Sequence, residues 1–228
     1  MKIYVRIILT FSLLFSLTGC FELIEDTTIH NDGSGDYKLT LNLSASQTRL
    51  NSIMALDSID GKKVPSEEEI QQELLDFVDR MNAEKGISNT TSSFDSENWI
   101  FKFSCSFDSL SVLKSAIYEA SQKWSSQKNA SDQKLNDIDL NFSNNTYTRK
   151  FSANVDEKVK EKVKKDEDFG KLSEGKCVFI QRFDSPIKSI NKDYVRVAKN
   201  KKASMMMTTP DKIINNPAIL DYSVELSN

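Results

Sequence analysis

Between Trp99 and Phe107 every second residue is large or apolar: Trp99, Phe101, Phe103, Cys105 and Phe107. Side chains alternate across a strand, so this spacing predicts a strand with five apolar groups in one column. Such a column has to lie against another apolar surface. The sequence supplies one directly afterwards, where Leu110, Leu113, Ile117, Ala120 and Trp124 recur at helical spacing behind a capping Asp108. Ahead of the column, Ile87 to Phe94 reads as the partner strand, with a turn at Asp95 to Asn98. Hairpin and helix are then expected to bury each other's apolar faces, each Å² contributing about 25 cal/mol.

The same rhythm of strand pair and helix recurs along the chain. Leu23 to Ile29 and Tyr37 to Leu43 alternate at period two, and Asn31-Asp32-Gly33-Ser34-Gly35-Asp36 between them suits a hairpin loop. A short helix is expected from Ala45 to Leu56. A longer one is expected over 67–84, opened by a Ser66/Glu69 capping box, striped by Ile70, Leu74, Phe77, Val78 and Met81, and stopped by Gly86. After a polar connector over 127–135, Ile138 to Phe142 and Tyr147 to Phe151 form a third pair around Ser143-Asn144-Asn145. Val159 and Val163 give the stretch from Val155 to Asp168 only a thin apolar line, so a helix there would lie in solvent. The tail reads as strands at Lys176 to Phe183, Tyr194 to Ala198, Ala203 to Thr208 and Ile219 to Leu226. The fold class that follows is α+β, with antiparallel β-hairpins alternating with helices packed on one face of the sheet.

Hydrophobic content of 39% with 13 Phe is too high for a disordered chain, and 4 Pro with 7 Gly leave no linker that would force a domain cut. Thirty basic against 33 acidic residues give a net charge of −3, which does not favour nucleic acid as a partner.

At the N-terminus, Lys2 and Arg6 precede an apolar run from Ile7 to Leu17 interrupted only by Thr10, Ser12 and Ser16. A membrane-spanning helix needs about 20 apolar residues. This run is shorter and meets Glu22, Glu25 and Asp26 soon afterwards, so it reads as a cleaved export signal. Its end, Leu17-Thr18-Gly19-Cys20, resembles the processing site of bacterial lipoproteins. That resemblance implies a signal peptide over 1–19, a mature chain over 20–228 and acylation of Cys20 with palmitate-type chains; with no linker to divide it, the mature chain is expected to form a single domain. Stable anchoring takes more than one acyl chain, which the family's multiply acylated cysteine provides. Phe21 follows the cysteine where inner-membrane retention would call for an acid, so by the same resemblance the outer membrane is favoured.

Cys105 and Cys177 remain. An envelope location permits a disulfide between them, contributing roughly 4 kcal/mol through loop closure. Each also sits in an apolar strand, Cys105 beside Phe103 and Phe107 and Cys177 beside Phe179, where a small core thiol would serve equally.

Other candidate sites carry ordinary readings beside the chemical ones. Asp32, Ser34 and Asp36 supply oxygens at positions 1, 3 and 5 of a calcium loop, but Tyr37 and Leu43 stand where that loop needs glycine and a bidentate acid. Turn chemistry explains them. Met205 and Met207 share a strand face and offer thioethers to a soft metal, yet packing accounts for both. The charged run from Lys158 to Asp168 and the basic Lys199, Lys201 and Lys202 read as solvated surface. His30 is the one histidine, with no nucleophile motif beside it, and neither a phosphate-binding glycine loop nor zinc spacing is present. No metal or cofactor is expected.

The segment from Ile29 to Leu43 with its Asn31-Asp32-Gly33-Ser34-Gly35 turn, and Phe183-Asp184-Ser185-Pro186-Ile187 leading to a final strand, resemble the LppM-type lipoprotein domain. Extra helical and hairpin material lies between them, from Ser66 to Phe169. The resemblance implies a non-enzymatic domain that meets lipid or a partner surface. The sequence thus points to a lipid-anchored, non-catalytic envelope lipoprotein with an envelope partner. Two alternatives stand beside it: a hydrolase of glycan or lipid working through distant acids, and a carrier holding an apolar ligand between Trp99, Phe101, Phe103, Phe107 and Trp124.

Overall fold

A computed structural model describes residues 21–59, 61–126, 138–151, 161 and 175–227, without the side chains of 122–126. The expected signal segment over 1–19, Cys20, the 127–135 connector and the stretch from Val155 to Asp168 (save residue 161) lie outside the described residues.

The strands are β1 (Glu22–Ile29), β2 (Gly35–Asn42), β3 (Ser58–Ile59), β4 (Lys62–Lys63), β5 (Ile87–Asp95), β6 (Ile100–Phe107), β7 (Ile138–Ser143), β8 (Thr146–Phe151), β9 (Lys176–Phe183), β10 (Ile187–Ile190), β11 (Arg196–Val197), β12 (Ala203–Thr208) and β13 (Tyr222–Leu226). The helices are α1 (Gln47–Met54), α2 (Glu67–Asn82), α3 (Leu110–Ser126) and α4 (Pro210–Asn215). The class is α+β. A seven-stranded sheet runs β11-β12-β9-β1-β2-β6-β5, a four-stranded sheet runs β10-β13-β8-β7, and β3-β4 is a small separate hairpin.

The expected hairpins form, with two differences. First, β1 pairs with β9 in parallel, Glu22 opposite Lys176 through Ile29 opposite Phe183. That contact unites segments about 150 residues apart, and nothing local in the sequence encodes it. Second, the late chain is more broken than its alternation suggested. Tyr194 to Ala198 contributes only β11, α4 interrupts the tail behind Thr209-Pro210, and a 3₁₀ turn over Pro217–Leu220 delays β13 to Tyr222.

Register places the core. Cross-strand partners share a face, so Phe107, Gly35, Ile29 and Phe183 form one inward row. Cys105, Tyr37, Thr27, Gln181 and Ser204 form the next, and Phe103, Leu39, Glu25, Phe179 and Met206 a third. Over β5 and β6 this face is covered by α2 and α3, with Phe77 edge-on to Phe103 at 5.0 Å and Leu113 and Ala116 fully buried. Over β1 and β9 it is covered by the four-stranded sheet, with Tyr147 and Phe183 rings 6.0 Å apart. Helices and second sheet thus share one core.

Local chemistry sets the ends. Ser66 Oγ accepts from the Glu69 amide while Glu69 Oε2 accepts from the Ser66 amide, the full capping box, with three glutamates in the first turn of α2. At α3, Ser109 rather than Asp108 caps: its hydroxyl accepts from the Val112 amide, and the Asp108 amide instead donates to Gly86 O. Gly35 has to be glycine, because a Cβ there would lie 1.9 Å from Thr28 O and 2.7 Å from Phe107 Cζ.

Candidate functional site

The most distinctive chemistry among the described residues is a polar band buried between the two sheets. Glu25 interrupts the inward face of β1, and Arg149 interrupts that of β8. Arg149 is 3% exposed, donates to Glu25 Oε1 at 2.5 Å, and lies over the Phe179 ring at 4.4 Å. Tyr222 donates its hydroxyl to Gln181 Oε1, which also accepts from Ser204 Oγ at 3.3 Å. Tyr147 stacks edge-on to Tyr222, 6.0 Å between centroids. Two donors, Arg149 Nε and Gln181 Nε2, are buried without a partner.

Burial pushes Tyr37, Tyr147 and Tyr222 upward, with Glu25 adding to the effect, Tyr147 to about 12 and the other two well above their ordinary value. Burial alone would lower Arg149, but Glu25 and the two tyrosines beside it raise it. The tyrosines therefore stay protonated and the arginine charged far above neutral pH. The band can orient and lock the two sheets, and it has no proton to exchange at neutrality through these four groups.

A second feature is the end of the large sheet where β1 starts. Phe21 O accepts from the Lys176 amide at 2.9 Å, and Gly175 packs so closely on the Phe21 ring that a Cβ would lie 2.5 Å from it. Residue 21 is thus already part of the folded body. Asn42, Ile100, Asp95, Lys176 and Thr208 lie at the same end by register. There α1 closes the sheet, since Trp99 Nε1 donates to Asn51 Oδ1 at 2.7 Å and Gln47 Nε2 donates to Glu97 O. Among the described residues no helix is long and apolar enough to cross a membrane.

The residues of the aromatic column part company. Phe103 and Phe107 are core residues, while Phe101 stacks on Phe94 at 4.4 Å toward the edge of the sheet. Trp99 leaves the column: its φ of 55° puts it in the turn before β6, where it packs on Phe94 and reaches Asn51. The side chain of Trp124 lies outside the described residues. A cleft of about 280 Å³ does open between α2 and α3, but Asp79, Arg80, Ala83, Glu84, Glu119 and Ala120 line it, and no column residue does.

The disulfide is not made. Cys105 and Cys177 are free, buried thiols on β6 and β9, with β2 and β1 between them and a register offset of four residues. That separation far exceeds the reach of about 7 Å between Cα atoms. Burial pushes their pKa values up to about 12 and about 11.

The Asp32 loop is a turn in which Asp32 Oδ1 accepts from Ser34 N and Oγ, contacts that lower its pKa. Met206 is buried, and Met205 and Met207 lie on the opposite, outer face. The two segments behind the lipoprotein-domain resemblance meet in space. His30 Nδ1 stands 3.1 Å from Asp184 Oδ2, and Ser185 Oγ donates to Asn31 Oδ1 at 3.2 Å. Sequence reading missed the Glu25–Arg149 pair. The available signal was two opposite charges, each breaking the apolar parity of a strand.

No family model matches the chain, and no curated protein matches it. Among solved structures it is similar to the NMR structure of the folded domain of the LppM protein of Mycobacterium tuberculosis. The identity is 12%, 92% of this chain and 91% of that chain are covered, and the TM-score is 0.42.

Proposed function

We infer that this chain is a lipid-anchored lipoprotein of the cell envelope, with a non-catalytic binding or structural role carried out against the membrane that holds it. The carrying observation is a juxtaposition: the Leu17-Thr18-Gly19-Cys20 motif ends one residue before Phe21, which already hydrogen-bonds into the large sheet. An acyl group on Cys20 would leave no flexible tether. The sheet end at β1 would then sit at the lipid headgroups, and the opposite end, with the His30–Asp184 turn, would face outward to a protein partner. Phe21 after the cysteine favours the outer membrane.

The test is the mass of the native N-terminal peptide, combined with membrane fractionation of wild type and Cys20→Ala. The expected result is a peptide beginning at acylated Cys20 and loss of the variant from the membrane fraction. A peptide retaining Met1, or an unmodified sulfur, refutes the reading.

A further inference from the structure

Large apolar side chains remain exposed just after α1, the helix that Asn51 and Gln47 tie to Trp99 and Glu97 at the sheet end where β1 begins, and on β12 opposite Val178. Leu56 is 51% exposed, Ile59 is 37% exposed, and Met207 is 55% exposed across β1 on the β12 side. Leu56 and Ile59 belong to the segment joining the end of α1 to the start of α2. Its β3-β4 hairpin is closed by Val64 N donating to Asp57 O and pinned to α2 by Lys63 on Glu69 at 2.5 Å. Both β3 and β4 are exposed throughout. Two exposed apolar groups three residues apart in one short segment need a reason, because scattered single ones do not.

Resting on the lipoprotein reading above, we propose that Leu56 and Ile59 insert into the headgroup–acyl boundary of the bilayer that carries the anchor. The occupant follows from distance. Only Phe21 stands between Cys20 and Glu22, so two peptide steps with a reach of about 7 Å join them. The sheet end is therefore held within the interfacial layer, where apolar groups bury to a depth of about 5–10 Å. Insertion of two side chains would be weak for a free protein. The covalent anchor makes it an intramolecular event at high effective concentration. Asp57, Glu67 and Glu68 are exposed close by, so attraction to anionic lipid is not what drives it. The contact is apolar, and zwitterionic lipid suffices. Lys62, exposed beside Gly61 at the hairpin turn, can extend its ammonium back to water.

The experiment uses the mature acylated protein in phosphatidylcholine vesicles, with an environment-sensitive dye on Ile59→Cys and, separately, on Lys199→Cys at the opposite end. Cys105 and Cys177 are buried and do not compete for label while the chain is folded. The expected result is a blue-shifted, several-fold brighter signal at position 59, quenched by brominated lipid and unchanged by salt, with an aqueous signal at 199. A Leu56→Asp companion change, with acylation and circular dichroism retained, is expected to return the dye at 59 to an aqueous signal. An aqueous signal at 59 in a protein whose Cys20 is acylated by mass overturns this contact and leaves the lipoprotein reading standing. Quenching abolished by high salt, or protection of 59 only on adding envelope protein extract, also overturns it. An unmodified Cys20 sinks the lipoprotein reading itself.

Discussion

Removing the arginine of the buried Glu25–Arg149 pair is the sharpest test of how the two sheets are held. Arg149→Met keeps most of the side-chain volume and lets a thioether rest on the Phe179 ring where the guanidinium now lies 4.4 Å away. The lost cation–π contact is therefore partly replaced. What is not replaced is the charge partner of Glu25, whose side chain is only 16% exposed and receives Arg149 at 2.5 Å. Leaving one buried charge uncompensated costs about 3–5 kcal/mol. With a urea slope of about 2 kcal/mol per M, the unfolding midpoint should fall by about 1.5–2.5 M. Glu25→Leu alone should cost a similar amount, for it strands the arginine. The double variant should recover most of the loss, because replacing both members of a buried pair by apolar groups is near neutral or stabilising. Urea denaturation followed by tyrosine and tryptophan fluorescence measures all four corners of the cycle. A shift below about 0.5 M for either single variant, or a double variant as costly as the sum of both, would falsify the claim that this pair is desolvated and coupled.

Four other outcomes follow from the geometry. Alkaline pH should unfold the protein: Tyr37, Tyr147, Tyr222, Cys105 and Cys177 all hold their protons more tightly folded than unfolded. Their contribution is fully present below the unfolded values, about 8.5 for Cys and 10 for Tyr. It is lost by about 1.4 kcal/mol per pH unit per group as pH rises through that window; midpoints measured from pH 7 to 11 that do not decline refute it. Gly35→Ala should cost about 1–3 kcal/mol or more, since backbone at Thr28 cannot yield, whereas Gly175→Ala meets only the Phe21 ring and should cost less; thermal melts of the pair rank them. Ser66→Ala removes half of the α2 capping box and should cost about 1 kcal/mol, read by urea titration. Aromatic disulfide reagents should leave Cys105 and Cys177 untouched in the native protein and titrate both in denaturant; fast native labelling contradicts their burial.

What could be read in the sequence was what periodicity and capping encode locally. The β1-β2 and β5-β6 hairpins, the helix over Glu67–Asn82 with its capping box and the pairing of Ile138 to Ser143 with Thr146 to Phe151 all sit within a residue or two of the alternation that announced them. Period two says which side chains share a face but not which strand lies alongside, so the parallel β1-β9 contact was illegible. Trp99 shows a different limit. Its place in the alternation was right, but a positive φ in the turn, held by the Asn51 hydrogen bond, took it out of the column. The short α4 carried a visible sign in Thr209-Pro210, proline at the first helical position, which the strand-like tail masked. The free cysteines show that compartment chemistry cannot substitute for geometry: a shared redox environment says nothing about the two strands that separate them.

The buried pair also contributes to register between the sheets. A one-residue slip of β8 would turn Arg149 outward and set Thr148 or Lys150 over Phe179, so every inward side chain of that strand would change face. Apolar contact opposes such a slip, since Tyr147, now 2% exposed, would be carried to the other face with it. A cation that finds its acid in one alignment adds to that preference, because the slipped strand would leave Glu25 without its partner. The acid comes from β1, the strand that starts at Glu22, two residues after Cys20. One strand therefore enters the body two residues after Cys20, pairs along its full length on both edges, and supplies the acid that pairs with the second sheet. If Cys20 carries lipid, the orientation of both sheets relative to the bilayer is set through β1. Weakening the Glu25–Arg149 pair should then loosen the second sheet without shifting the β1 end, which hydrogen exchange would read as faster exchange in β8 and β13 while Phe21 to Ile24 stay protected.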